Sequence, residues 1–114
     1  MPGNPAVATP SDHILLTIFL KHDQSKNLAE INRELDEVNF WRDFPPDGVE
    51  IETWYVMMGI GQVVTLRVPP SQLREVNMMM ENRAWKPFRT EYYATYDFRH
   101  IYQALHKKAL ETSK

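Results

Sequence analysis

Trp54 and Arg67 are the residues of this chain best suited to hold a small molecule. They lie in two β-prone runs, and a two-residue loop at Ile60-Gly61 sets Trp54 opposite Arg67 on one sheet face. A guanidinium beside an indole can stack on it or hold an anionic or enolic oxygen. The same pair also suits an interface between two copies of a chain, where aromatic residues and Arg are enriched. His13 opens the first apolar run on the parity of Thr17, where an imidazole can shuttle protons or simply face solvent at a strand end. Thr17 and Thr65 add hydroxyls to that face. On the last β-like run Glu91, Tyr93 and Thr95 form the more polar side, and Tyr92, Ala94 and Tyr96 the less polar one. The candidate catalytic residues are therefore His13 and Tyr93. The candidate substrate-binding residues are Thr17, Trp54, Thr65, Arg67 and Glu91.

Other chemistry finds little support. The chain has no cysteines, which removes intrachain disulfides, thiolate metal sites and cysteine nucleophiles. His22-Asp23 is a lone dipeptide that suits a strand end meeting a helix cap. His100 and His106 are too far out of phase on a helix to share a metal. Gly59-Ile60-Gly61 reads as a hairpin bend rather than a phosphate loop, and no Gly-x-Ser-x-Gly elbow occurs. No metal and no cofactor is expected. The net charge of −2 argues against a nucleic-acid partner, which needs a basic patch. No run approaches the roughly 18–20 apolar residues of a membrane span. Met1 to Asp12, with Pro2, Gly3, Pro5 and Pro10, reads as a flexible tail without signal-peptide features, ahead of a single domain over 13–114. A cytoplasmic protein is the expectation.

The elements that must position these residues follow from periodicity. His13 to His22 is a strand with Ile14, Leu16, Ile18 and Leu20 toward the core. Asp23 or Ser25 caps a helix in which Leu28, Ile31, Leu35 and Val38 share a stripe. Val49 to Met58 and Gln62 to Val68 form a hairpin in which Val64, Leu66 and Val68 face the helices. Ser71 caps a second helix with Leu73, Val76 and Met80, and Trp41 and Trp85 seal the core near helix ends. Arg89 to Asp97 is the fourth strand, and Asp97 caps a terminal helix on which Ile101, Leu105 and Lys108 or Ala109 share a face. The fold class is α+β, a βαββαβ order with a four-stranded antiparallel sheet plus a C-terminal helix. Leu15, Phe19, Trp54, Val56, Met58 and Val63 would leave the second sheet face apolar and bare, which a monomer rarely tolerates, so a homodimer through that face is expected.

That element order and mixed face resemble the dimeric α+β-barrel superfamily of the ferredoxin-like folds, over about His13 to Leu110. The superfamily includes cofactor-free monooxygenases of aromatic polyketides, muconolactone-type isomerases, polyketide cyclases and some haem-handling enzymes. The resemblance implies a small cofactor-independent oxygenase, isomerase or cyclase acting on a hydrophobic or aromatic molecule. A non-catalytic dimerising or ligand-binding module of the same fold is the alternative. RNA-recognition domains share the order, but their third strand carries aromatic platforms, and here it reads QVVTLRV.

Overall fold

The computed structural model describes residues 13–112, so the expected tail at 1–12 lies outside the described residues. Four strands are present: β1 (Ile14–His22), β2 (Glu50–Met57), β3 (Gly61–Val68) and β4 (Phe88–Thr95). Between β1 and β2 lie helix α1 (Leu28–Glu37) and the short helix α2 (Phe40–Asp43). Helix α3 (Leu73–Arg83) joins β3 to β4, entered through one 3-10 turn at Pro70–Gln72. Helix α4 (Arg99–Thr112) ends the described chain. The sheet is antiparallel with order β2-β3-β1-β4. Each helical crossover thus joins two strands that have one other strand between them.

Alternation along the central strands decides the layers. Ile18 and Leu20 of β1 and Val64, Leu66 and Val68 of β3 are buried. They pack with Ile31 and Leu35 of α1, Phe40 of α2, and Val76 and Met80 of α3. Helices therefore cover one sheet face, and among the described residues no helix layer lies over the face bearing Leu15, Thr17 and Phe19.

Local caps differ from the sequence expectation. Asn27, not Asp23 or Ser25, caps α1, because its side chain takes the Glu30 N–H while the Glu30 carboxylate takes the Asn27 N–H. Asp23 instead closes a tight turn onto the Ser25 N–H and hydroxyl. Leu28 is exposed, leaving Ile31 and Leu35 as the buried stripe. Ser71 falls inside the 3-10 turn and makes no cap bond at α3. Trp41 and Trp85 are each about half exposed, at 49% and 53%, and do not seal the core. Phe98 rather than Asp97 holds the cap position of α4, its carbonyl taking the Tyr102 N–H, and Asp97 just ahead of it accepts the Arg99 N–H at 2.8 Å.

The hairpin contains the decisive difference. Its loop has three residues, Met58 to Ile60, between paired Met57 and Gly61. Gly59, at φ 79°, sits where the Ile60 N–H turns back to the Met57 carbonyl at 3.0 Å. Gly61 lies so close to the Leu20 carbonyl and Lys21 Cα that a Cβ would not fit there. An odd loop reverses the parity of β2 against β3, so Trp54 pairs with Val64 on the helix side rather than with Arg67. A bulge between Ile51 and Thr53 then restores the other parity, and Glu50 becomes the partner of Arg67.

Candidate functional site

The uncovered face is built of successive rows across the four strands. One end row holds Glu50, Arg67, Leu15 and Thr95, with Glu52 looped in by the bulge. The next holds Thr53, Thr65, Thr17 and Tyr93, and the third Tyr55, Val63, Phe19 and Glu91. The row nearest the hairpin turn holds Met57, Gly61, Lys21 and Arg89. Apolar and aromatic groups thus occupy the middle, hydroxyls cross beside them, and charges close both ends.

The hydroxyl row is ordered by its own bonds. Thr17 Oγ1 lies 2.9 Å from Thr65 Oγ1 and 3.0 Å from Thr95 Oγ1, and Thr95 donates to the Leu15 carbonyl at 3.2 Å. Next to it, Phe19 meets Tyr93 edge to face, with ring centroids 5.8 Å apart. The Tyr93 hydroxyl donates to Glu91 Oε1 at 3.1 Å, and Lys21 Nζ reaches Glu91 Oε2 at 2.7 Å. The bonds from Lys21 and Tyr93 hold the Glu91 carboxyl below its ordinary range. Accepting the bond and bearing the negative charge, Glu91 in turn raises the Tyr93 phenol above its usual value. Tyr93 is therefore a hydrogen-bond donor at neutral pH rather than a base.

At the charged end, Arg67 Nη2 lies 3.3 Å from Glu52 and Nε 3.7 Å from Glu50. Its guanidinium already faces two carboxylates, which leaves little positive potential for an anionic ligand. A groove of about 420 Å³ runs along this end, lined by His13, Leu15, Glu52, Arg67, Thr95 and Tyr96 among others. A neighbouring hollow of about 520 Å³ shares Leu15, Glu52 and Thr95 and extends to Thr53, Thr65 and Phe98. His13 and Arg67 thus line one groove with the edge of the hydroxyl row.

Trp54 is not part of this surface. It packs on the helix side with Phe44, ring centroids 5.8 Å apart and edge to face, and with Trp41 at 6.1 Å. Its indole N–H donates to Gln62 Oε1 at 2.6 Å, also on that side. The expected Trp54–Arg67 pair is therefore corrected: the sheet separates them, because the loop holds three residues and not two. Val56 moves to the helix side with Trp54, and Met58 lies in the turn. Tyr55 and Thr53 take their places on the open face. Thr17, Thr65, Arg67, Glu91 and Tyr93 share that face, with His13 at its end. The sequence reading missed Glu50 and Glu52 as partners of Arg67, since no residue type announces the bulge.

Elsewhere His22 stacks on Phe88 at 5.6 Å, and its Nε2 is buried without a hydrogen-bond partner. The Tyr92 hydroxyl is likewise buried without one, while Tyr96 is 76% exposed beyond the end of β4. Among the described residues no group of three or more His, Asp or Glu side chains is placed to hold a metal ion. No helix among them is long and apolar enough to cross a membrane. Comparison with known proteins yields no matching family model, no matching curated protein and no matching solved structure.

Proposed function

We propose that this protein is a dimerising, ligand-binding module whose open sheet face closes against a second copy of the chain. The observation that carries the reading is the sheet face that no described helix layer covers, where Tyr55 and Tyr93 are exposed and Leu15, Phe19 and Val63 half-buried. Apolar surface of this extent is unfavourable in water, and a two-fold partner presents the same surface in return. The ferredoxin-like reading belongs to the same proposal, supported by the two interleaved crossovers and the order β2-β3-β1-β4. In such a pair the threonine row and the groove at Arg67 lie at the edge of the contact, where a small hydrophobic molecule bearing hydroxyl or carbonyl groups finds donors and acceptors.

A second reading, a small cofactor-independent oxygenase, isomerase or cyclase, is favoured by one observation: His13 and Arg67 line the same groove. It is the weaker reading, because the indole is absent from the groove and the guanidinium is already paired. Sedimentation of the parent chain beside Phe19→Lys and Val63→Lys tests the first reading. It expects a pair for the parent and single chains for both variants. Variants that associate as the parent does would refute it. Turnover of an aromatic substrate that disappears in His13→Ala would favour the second.

A further inference from the structure

We infer that α4 is an exchanged arm whose apolar stripe docks on the β2–β3 hairpin of the second copy. The inference rests on the dimer proposed above and names a contact that the sheet faces alone do not provide.

Phe98, just ahead of α4, falls by helical spacing in one stripe with Ile101, Tyr102 and Leu105 of that helix. The helix nevertheless has no buried residue, and these four side chains are 37–55% exposed. A second exposed apolar surface lies at the hairpin turn, where Met58 and Ile60 are 91% and 52% exposed.

Within one chain the two surfaces start from opposite ends of the sheet. The hairpin turn lies at the sheet end where β1 finishes and β4 starts, whereas α4 leaves from the end where Thr95 pairs with Leu15. Eight-residue strands hold those ends about 26 Å apart. A two-fold axis crossing the strands between the facing sheets brings the partner's hairpin over the end from which α4 departs. Size agrees: a 14-residue helix is about 21 Å long and about 10 Å across, so half its surface is roughly 330 Å². Two arms and the two surfaces they cover together remove roughly 1,300 Å² from water, within the range of stable interfaces.

The chain's lack of cysteines makes cross-linking a clean test. Met58→Cys and Leu105→Cys chains are mixed and oxidised, and Leu105→Asp is sedimented beside the parent. The inference expects a disulfide joining one chain of each kind, and association weakened at least about tenfold by Leu105→Asp. A pair that forms without the mixed disulfide and tolerates Leu105→Asp overturns the arm and leaves the sheet-face dimer standing. A chain that stays single at every concentration overturns both.

Discussion

Arg67 and Asp43 illustrate how a charged group's partners decide its role. Arg67 faces Glu50 and Glu52, so it orders the end of a sheet before it holds any ligand. Asp43 takes bonds from Arg42 at 2.8 and 3.1 Å and from Arg83 of α3, which clamps α2 to α3. Those bonds hold the Asp43 carboxyl well below the ordinary carboxylate range. A depressed folded-state pKa stabilises the fold above the unfolded value near 3.9, and that contribution fades as pH falls through the folded value. Asp43→Asn should therefore lower the urea midpoint at pH 7, and the gap to the parent should narrow progressively below about pH 4. A gap that is constant from pH 7 to pH 2 would contradict the clamp. Glu34 is a stricter case, 7% exposed, with Lys26 Nζ 3.0 Å from both oxygens. Lys26→Ala leaves a buried carboxylate with only Lys86 at 3.8 Å. We expect it to cost about 1–3 kcal/mol in chemical denaturation.

At the scale of elements, the hairpin sets both what was legible in the sequence and what was not. The alternation of Ile14, Leu16, Ile18 and Leu20, and of Val64, Leu66 and Val68, shows in the sequence, because a buried face tolerates no polar residue. The parity of Glu91, Tyr93 and Thr95 shows there too. The phase of β2 does not, because Gly59 and Gly61 suit a loop of either length and the bulge at Glu52 has no residue signature. One residue in the loop was enough to carry Trp54 through the sheet. The α4 stripe is visible in the sequence, but what covers it is a property of the assembly. Gly61 tests the hairpin directly, since a side chain there strikes the β1 backbone. Gly61→Ala should cost about 1–3 kcal/mol, read from the denaturation midpoint. A neutral result would mean that β1 and β3 do not approach as closely at that point.

For the whole molecule, a layer of helices on one side of a sheet stabilises half a sandwich. Burying the other side supplies about 25 cal/mol per Å² of apolar surface, so association and folding stability are linked through chain concentration. The thermal midpoint should therefore rise with protein concentration for the parent and stay fixed for Val63→Lys. The threonine bonds lie within one chain, so Thr17→Val should cost about 1 kcal/mol of folding stability, read from the denaturation midpoint, while leaving the helix-side core intact.

Small-angle X-ray scattering from the unmodified chain is the most direct measurement. Our account predicts the forward scattering of two chains. Forward scattering of one chain at all concentrations would contradict it.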